Sequence, residues 1–327
     1  MQAVVLAAGR GTRLRPVTEG RSKAMVPVVG KPLVEWALAP VVACGIHNIV
    51  MVVGPDDKEI RDYFSNRSKL GVSVQWVIQE DRLGMAHALL QAGHLLHGPF
   101  ILTACDSLVS AAHFRELVAA ARGADAVLSL LDVDPTLVSR SAAVRLDGEL
   151  VLQIVEKPVP REAPSNTVSL PHYVFTPQLV GLLSRVSRSP RGEFELQDAI
   201  QHQIDEGARV IGVRSPDRVQ VSTPDDLLAL SRQKLAEGFD LGGRPRAFAE
   251  PTLRTIDPVF IEDGATVGVG CTIGPEVYLE SGCVIGDGAE IRRSIVLRGA
   301  RVPPGQHVAD AVVVGRSSEP VKREDSR

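Results

Sequence analysis

The sequence has few cysteines, and their arrangement does not indicate a metal module. Four cysteines occur among 327 residues, scattered without the spacing of metal ligands. Thiols that hold no metal usually pack inside a protein as small apolar side chains. We therefore expect buried, reduced thiols of a cytoplasmic protein at Cys44, Cys105, Cys271 and Cys283.

The sequence also lacks a basic surplus and a long apolar run. Its formal net charge is -3, whereas a nucleic-acid-binding protein usually carries excess lysine and arginine. No apolar run approaches the roughly 20 residues that span a membrane. The first residues enter a strand-like run with no basic leader, so we expect no signal peptide. With 44% hydrophobic and 23% charged residues, the composition is typical of a soluble protein.

The first 235 or so residues alternate strand-like and helical patterns. Continuous apolar runs favour strands that are buried on both faces, and their alternation with helices predicts an α/β domain with a mostly parallel sheet. The predicted strands are Gln2–Ala8, Asn48–Val53, Val72–Ile78, Phe100–Ala104, Asp125–Leu131 and Leu150–Val155. The predicted helices are Leu33–Cys44, Asp57–Phe64, Ala86–Leu96 and Ala111–Arg122.

Two further helices have recognisable start signals. Thr176-Pro177 and Thr223-Pro224 each place a hydroxyl before a proline, which predicts an N-cap followed by the first helical residue. The second of these helices should end at Gly238, because glycine commonly follows a helix C-terminus.

The remainder of the chain has a different period. A single apolar residue recurs at every sixth position, which suits neither an ordinary helix nor an alternating strand. This spacing predicts a parallel β-helix of about two to three coils, in which each apolar residue points into a narrow core. The repeat consists of Ile261, Val267, Ile273, Leu279, Ile285 and Ile291, with Val302 and Val308 as candidate continuations.

The most informative stretch is the turn that follows the first strand. Gly9 and Gly11 let the backbone turn sharply and leave N–H groups free to face an anion, and Arg13 and Lys23 add positive charge. No Gly-Lys-Ser/Thr follows, so this is not a Walker loop, and the third glycine of the dinucleotide fingerprint is missing. The turn therefore predicts a polyphosphate site, with an ordinary strand-to-helix turn as the alternative.

A family resemblance rests on this stretch and its continuation. Leu-Ala-Ala-Gly-Arg-Gly-Thr-Arg-Leu-Arg-Pro, then Lys-Ala-Met-Val-Pro-Val from Lys23 and Gly-Lys-Pro-Leu from Gly30, closely resembles the signature of sugar-1-phosphate nucleotidyltransferases. Ser22 departs from the signature, which usually has proline there. The first thirty residues look more like the thymidylyltransferase branch. The later Glu-Lys-Pro at Glu156 and the stretch from Gly192 look like UTP-glucose-1-phosphate uridylyltransferases.

The resemblance implies an architecture and a reaction. It implies a Rossmann-like nucleotidyltransferase catalytic domain over residues 1–238, a linker over 239–257, a short left-handed parallel β-helix over 258–315 and a disordered tail over 316–327. The family joins a nucleoside triphosphate to a sugar-1-phosphate and releases pyrophosphate, with Mg²⁺ as cofactor. For this chain it implies UTP or dTTP, glucose-1-phosphate by default, and a homo-oligomer.

The resemblance also implies roles for particular residues. An amide at Gln79 can donate to and accept from a pyrimidine edge. The implied nucleotide-binding residues are Leu6, Ala7, Ala8, Gly9, Gly11, Thr12, Arg13, Gln79 and Gly84. The implied sugar-phosphate-binding residues are Lys23, Glu156, Lys157 and Tyr173. The catalytic cations would be Arg13, Lys23 and Lys157. His87 is interpreted as an ordinary helix residue, and the alternative for Glu156-Lys157 is a surface ion pair.

Asp106 is the candidate metal ligand. It follows the strand Phe100–Ala104, and a carboxylate at a strand end suits Mg²⁺, which prefers oxygen ligands shared with substrate phosphates. By resemblance it is the aspartate of the family's Gly-Asp motif, with Cys105 in the place of glycine. The alternative is an aspartate that caps a turn.

The sugar and metal end of the pattern is altered. The family's second metal aspartate corresponds to Gln220, and an amide brings no negative charge to a cation; Asp217 or Asp225 could compensate. Two hypotheses follow: an active transferase, or a nucleotide- or sugar-phosphate-binding regulatory or assembly subunit that has lost turnover. A third, an acyltransferase in the β-helix, is weakened because its histidine, His307, has no evident partner.

Overall fold

The computed structural model describes residues 1–66, 68–216, 218–238 and 252–315. Most of the predicted linker, residues 239–251, and the predicted tail, 316–327, lie outside the described residues. The chain divides into two compact units. The first combines Met1–Arg10 with Val34–Gln220, and the second combines Gly11–Leu33 with the chain from Val221 onward. The predicted domain boundaries stay a prediction.

The helices and strands are numbered in chain order. The strands are β1 (Gln2–Leu6), β2 (Pro27–Val28), β3 (Lys31–Pro32), β4 (Asn48–Val53), β5 (Ser73–Ile78), β6 (Phe100–Ala104), β7 (Ser107–Leu108), β8 (Ala126–Asp132), β9 (Ala142–Asp147), β10 (Leu150–Glu156), β11 (Thr167–Phe175), β12 (Val210–Arg214), β13 (Val219–Gln220), β14 (Arg254–Thr255), β15 (Val259–Ile261), β16 (Thr266–Val267), β17 (Thr272–Ile273), β18 (Val277–Leu279), β19 (Val284–Ile285), β20 (Glu290–Arg292), β21 (Ile295–Val296), β22 (Arg301–Val302), β23 (His307–Ala309) and β24 (Val312–Val313). The α-helices are α1 (Leu33–Val42), α2 (Lys58–Asn66), α3 (Met85–Ala92), α4 (Ala111–Ala120), α5 (Gln178–Leu183), α6 (Leu196–Asp205) and α7 (Pro224–Ala236). Short 3-10 helices are found at Thr12–Leu14, Lys23–Met25, Gly93–Leu95, Pro135–Arg140 and Pro160–Glu162.

The first unit is built on one mixed sheet. In the described residues it has nine strands, in the order β5-β4-β1-β6-β11-β8-β12-β10-β9. The half β5-β4-β1-β6 is parallel throughout. Seven strands run in one direction and β11 and β10 run against them, so the pairs on either side of β11 and β10 are antiparallel and the predicted parallel arrangement holds only for part of the sheet. Parallel strands need long crossovers, and α1 to α3 supply them in the half that contains β1.

A contiguous apolar core holds this sheet to its helices. Phe100, Phe175 and Leu89 are fully buried in a cluster shared by strands and by α3, α5 and α6. Burying one such side chain contributes roughly 1.5 to 3 kcal/mol. The strand ends that carry polar residues are therefore fixed by a rigid scaffold.

One predicted helix start is wrong and one is confirmed. α5 has Pro177 at its N-cap with no side-chain cap, and the Thr176 hydroxyl instead donates to the carbonyl of Asp125 (3.3 Å). A long-range partner thus replaced the local cap. At α7 the Thr223 hydroxyl accepts from the Asp226 N–H, and Gly238 follows the helix in a left-handed conformation (φ 61°).

Three parallel sheets form the C-terminal part of the second unit, as the six-residue spacing predicts. They are β14-β17-β20-β23, β15-β18-β21-β24 and β16-β19-β22. Ile273 pairs with Ile291, eighteen residues later, but Leu279 pairs with Val296, only seventeen later. One residue is therefore missing from the repeat after Ile291, so the inward positions continue at Val296, Val302 and Val308.

The second unit also contains an N-terminal segment and the last described helix. The segment Gly11–Leu33 includes the hairpin β2-β3, and α7 packs against β2, β18 and β24. The four cysteines all lie in described residues and form no disulfide. Cys105, Cys271 and Cys283 are buried as predicted, whereas Cys44 is half-buried.

Candidate active site

The Gly-rich turn and Asp106 leave neighbouring strand ends. β1 lies between β4 and β6, and the Cys105 N–H donates to the carbonyl of Leu6 (3.1 Å). On the other side the Ala7 N–H donates to the carbonyl of Val52 (2.8 Å). The chain runs outward through β4 and β5 and then returns to β6, so the strand order reverses at β1. Ligands of open α/β sheets bind at such a reversal, beyond the carboxyl ends of the strands.

Arg82 crosses these strand ends, and sequence reasoning missed it. Its Nε donates to the carbonyl of Ala8 at 2.6 Å, which fixes the chain just before Gly9. The guanidinium passes so close to Gly54 that a Cβ there would lie 2.0 Å from Arg82 Nη2. A lone arginine after a predicted strand gave no signal, because its partner is a backbone carbonyl distant in sequence.

Gln79 and Gly84 lie together after β5. The Gln79 backbone N–H donates to the Val53 carbonyl (2.8 Å), and its side chain is buried, with 4% of the residue exposed. Its amide nitrogen donates to the Gly84 carbonyl (3.2 Å) and lies 3.0 Å from His87 Nδ1. His87 was interpreted as an ordinary helix residue, yet it orients this amide. With both N–H groups directed into the protein, the amide oxygen is the group suited to face a ligand donor.

The structure requires glycine at position 84 for a reason other than the expected approach of a nucleotide base. Its φ of 105° is a conformation that residues with a side chain rarely adopt. A Cβ there would lie 2.6 Å from the Phe194 carbonyl oxygen and 2.9 Å from its nitrogen. The Phe194 N–H donates to Leu83, and the Ala86 N–H donates to Phe194. Glycine is therefore required for the close approach of this second chain.

Asp106 directly precedes the short strand β7, which pairs with the strand β13 that contains Gln220. β7 pairs antiparallel with β13, which sets Gln220 opposite Ser107, the residue after Asp106. A carboxylate and an amide oxygen are both hard ligands that fit Mg²⁺. Within the described residues, no three His, Cys, Asp or Glu side chains gather as a metal cluster. The arrangement fits an ion that takes its other ligands from phosphates and water. Asp217 lies outside the described residues.

A buried histidine supports the Asp106 turn. His172 Nδ1 lies 2.9 Å from Thr103 Oγ1, and its Nε2 lies 3.0 Å from Ser107 Oγ. All three residues are fully buried. Burial lowers the pKa of His172 to about 3, with further lowering by His113 and Arg218, so the ring is neutral at physiological pH. One tautomer then donates to one hydroxyl and accepts from the other.

Glu156 is the last residue of β10, and Lys157 follows it, within a charged cluster. Lys157 Nζ lies 3.3 Å from Glu156 Oε1, and Arg191 lies 3.9 Å from the same oxygen and 2.9 Å from Glu195. Burial raises the pKa of Glu156; Lys157 opposes the rise and Glu195 adds to it. Lys157 has a φ of 43°, a strained value that is often associated with functional sites. Sequence reasoning missed Arg191 and Glu195 as members of this cluster.

Tyr173 lies in the core rather than at a surface. Only 1% of the residue is exposed, and its ring stacks on Phe175 at 5.1 Å between centroids. Its hydroxyl lies 3.2 Å from Ser169 Oγ and 3.5 Å from Gln197 Nε2, and burial raises its pKa to about 12. The side chain is therefore enclosed by other parts of the protein in this conformation. The implied sugar contact stays a prediction, and the structure gives Tyr173 a packing role.

The remaining loop residues belong to the second unit. Gly11 precedes the short helix Thr12–Leu14 with a φ of 61°, and its carbonyl accepts from the Thr18 hydroxyl (2.9 Å). A Cβ at Gly11 would lie 3.0 Å from Lys23 Cβ. Thr12 and Arg13 are exposed, whereas 8% of Lys23 is exposed. Gly11 thus allows the lysine to pack against the turn that presents the arginine.

His307 has a partner after all. Its Nδ1 lies 3.1 Å from Glu290 Oε2, so the expectation that it lacks one is wrong. The neighbour comes from the adjacent coil, which the six-residue repeat does not reveal. The imidazole is 71% exposed, which is typical of a solvated surface pair.

Comparison with known proteins agrees with this geometry. The family described as Nucleotidyl transferase matches residues 2–237, and the GMPPB C-terminal domain matches 255–322. A glucose-1-phosphate thymidylyltransferase of Streptomyces griseus is 33% identical over 97% of this chain and 92% of its own length. The UTP--glucose-1-phosphate uridylyltransferase AglF of Haloferax volcanii is 35% identical over 69% of this chain and 93% of its own. A bifunctional protein GlmU of Methanococcus maripaludis is 27% identical over 96% and 77%.

Solved structures show the same fold. A UDP-glucose pyrophosphorylase complexed with UDP-glucose has a TM-score of 0.66 at 24% identity, covering 72% of this chain and all of the other. Among the described residues, no helix combines the length and apolar character needed to cross a membrane. The fold, the Gly-rich turn beside Asp106 and the match over residues 2–237 establish that this chain belongs to the nucleotidyltransferase family.

Proposed function

We propose that this protein joins a pyrimidine nucleoside triphosphate, UTP or dTTP, to a sugar-1-phosphate, with glucose-1-phosphate as the default, giving an NDP-sugar and pyrophosphate. The observation that carries the proposal is the bond between Cys105 and Leu6 at the strand-order reversal. It sets the Gly-rich turn and Asp106 on adjacent strand ends, where a polyphosphate and a cation are needed together. The names of the uridylyl- and thymidylyltransferase relatives supply the substrate classes.

The proposed reaction requires positive charge and correct positioning of the two substrates, and it does not require a nucleophilic side chain. A phosphate oxygen of the sugar-1-phosphate attacks the α-phosphorus, and the bond from that phosphorus to the bridging oxygen of pyrophosphate breaks. Arg13 binds the β- and γ-phosphates, while Lys23 and Lys157 neutralise the reacting phosphates. Fixed positive groups are effective because negative charge moves between phosphate oxygens in the transition state.

The base and the sugar are assigned to the first unit. The Gln79 side-chain oxygen accepts the N3–H that uracil and thymine share, because the amide nitrogen is already bonded to Gly84. Glu156 accepts from sugar hydroxyls and is oriented by Lys157 and Arg191. Asp106 would hold Mg²⁺, which supplies neutralisation of phosphate charge when bound.

A second candidate function rests on Gln220. Replacing a carboxylate with an amide opposite Ser107 weakens the attraction for a divalent cation. A protein altered in this way could bind nucleotide and sugar phosphate as a regulatory or assembly subunit without turnover. It would then bind the triphosphate in calorimetry and form no product.

The C-terminal sheets suit a left-handed β-helix that serves as an oligomerisation platform. The three-sheet pairing supports the coil, and its hand and the homo-oligomeric state are proposals. Light scattering of the full chain tests the oligomer: a monomer would contradict it without affecting the catalytic proposal.

A pyrophosphate-release assay distinguishes the two functions. UTP and dTTP are each combined with a panel of sugar-1-phosphates in the presence of Mg²⁺, and products are identified by mass spectrometry. Release with one pair, with the matching NDP-sugar, supports the transferase and names both substrates. Silence across the panel with retained triphosphate binding supports the regulatory subunit.

A further inference from the structure

The segment that carries Arg13 and Lys23 is anchored to the C-terminal coil by an ion pair. Arg21 Nη1 lies 3.1 Å from Glu280 Oε2, and its Nη2 lies 2.5 Å from Oε1. The side chains are only 8% and 10% exposed. Two parallel bonds from a guanidinium to a carboxylate fix both position and angle, and water exclusion strengthens them.

Glu280 is held in place independently of Arg21. Its Oε2 also accepts from the backbone N–H of Arg298 at 2.8 Å, in the next turn of the coil. Glu280 directly follows β18, whose side chains are buried in the coil. The carboxylate is therefore a preorganised acceptor on a rigid element, and the arginine comes from the segment that must be positioned.

The same segment has a second attachment near its other end. A Cβ on Gly30 would lie 2.8 Å from Phe260 Cε1, so the backbone at Gly30 packs directly against the ring. Phe260 stacks on Tyr278 at 6.0 Å, and the Tyr278 hydroxyl donates to Glu262 (2.5 Å). Of these two attachments, Arg21 is the nearer to the cations of the proposed phosphate site, two positions before Lys23 and eight after Arg13.

We propose that Arg21 and Glu280 are positioning residues for triphosphate binding, through which the C-terminal coil holds residues 12–23 in the conformation that presents Arg13 and Lys23. This rests on the proposed function of those two cations. A segment held in advance loses less conformational entropy when the triphosphate binds. The C-terminal coil would thereby contribute to triphosphate binding by positioning residues 12–23.

Kinetics of Arg21→Ala test the proposal, with Arg293→Ala as the matched control. Arg293 also forms a two-bond ion pair, with Asp310 (2.7 and 2.5 Å), between two residues of the coil whose side chains are 37% and 40% exposed. We expect Arg21→Ala to raise the KM for the triphosphate on the order of tenfold or more. The KM for the sugar-1-phosphate should change less than about twofold. Arg293→Ala should leave both unchanged.

A double variant separates positioning from stability. Arg21→Ala leaves the Glu280 carboxylate buried without its cation, which destabilises the fold. Arg21→Met with Glu280→Gln removes both charges and keeps an oxygen for the Arg298 N–H. We expect this variant to regain thermal stability but to keep the raised KM. A double variant with wild-type KM would overturn the proposal.

Hydrogen exchange gives a readout that does not depend on turnover. The Leu14 and Val17 amides bond to carbonyls within the segment, at 3.0 Å each. In Arg21→Ala without ligand, exchange over residues 12–23 should accelerate, and in Arg293→Ala it should not. Unchanged exchange overturns the positioning role even in a protein without activity. If the wild type releases no pyrophosphate but Arg21→Ala still shows accelerated exchange, only the proposed function is contradicted.

Discussion

The imidazole of His172 is hydrogen-bonded to the hydroxyl of Ser107, the residue that directly follows Asp106. The second ring nitrogen bonds to Thr103, so one histidine on β11 joins β6 to β7. Such a bond network is strong only while the ring is neutral, because a buried imidazolium would donate from both nitrogens and carry an uncompensated charge. The turn that contains Asp106, the proposed metal ligand, is therefore coupled to the protonation of a core residue.

Stability should fall as the pH drops below the ordinary pKa of histidine. The pKa of His172 is lowered to about 3 in the folded protein, from 6.5, so below pH 6.5 the unfolded chain binds a proton that the native state does not. Between pH 7 and pH 5 this linkage removes about 2 kcal/mol of the free energy of unfolding. Urea unfolding of wild type and His172→Gln at both pH values measures it. Equal losses in the two proteins would contradict the assignment.

The ionised carboxylate of Glu156 should lower the stability of the fold while being required for turnover. Burial raises its pKa, so ionisation is costlier in the native state, and the stability it contributes at low pH is lost as pH rises through the folded value. Glu156→Gln should therefore have a higher Tm than wild type at pH 7 and a similar Tm at pH 4, while losing turnover. Glu206→Gln, at an exposed ion pair, is the control and should change neither. A lower Tm for Glu156→Gln at pH 7 would argue against this account.

Gly84→Ala should damage the fold locally. The new Cβ would meet the Phe194 backbone at 2.6 Å, and φ would remain at 105°. We expect a loss of roughly 2 kcal/mol or more in the free energy of unfolding. Gly98→Ala is the comparison, since a Cβ at that position would meet no atom of the described residues within 4 Å beyond its chain neighbours. Similar stability of the two variants would show that the Phe194 chain yields easily.

Gln220→Asp should strengthen the binding of the metal ion. Gln220 lies opposite Ser107, the residue that follows Asp106, so a carboxylate there would add negative charge near the proposed ligand. We expect half-maximal activity at a Mg²⁺ concentration several-fold lower than for wild type. Titration of Mg²⁺ in the pyrophosphate assay measures this. An unchanged or higher Mg²⁺ requirement would remove Gln220 from the metal site.

Sequence patterns over a few residues correctly predicted strands and helix ends whose formation depends on neighbouring residues. The apolar runs predicted β4 and β6 with their observed bounds, because a short, continuous apolar run within a strand-helix alternation is typical of a strand that is buried on both faces. Glycine at residue 238 predicted the end of α7. The six-residue repeat predicted the coil until one residue is lost after Ile291.

Long-range pairings were beyond such patterns. The Thr176 hydroxyl does not cap α5 as predicted but donates to the carbonyl of Asp125, which is distant in the sequence. Arg82, His172 and Arg21 find partners that are 65 to 259 positions distant. No period or motif encodes these contacts, since they depend on the packing of complete elements. The candidate site was therefore predicted in its backbone loops and missed in the residues that hold those loops.

The most direct test of the account compares pyrophosphate release by wild type and Asp106→Asn, with Asp147→Asn, at the end of β9, as control. The side chains are nearly isosteric, so the change removes charge and keeps shape. We predict robust release by wild type and by Asp147→Asn, and a loss of about a hundredfold or more in Asp106→Asn with triphosphate binding largely retained. Full turnover in Asp106→Asn would contradict the assignment of Asp106 as the metal ligand, and with it the proposed site.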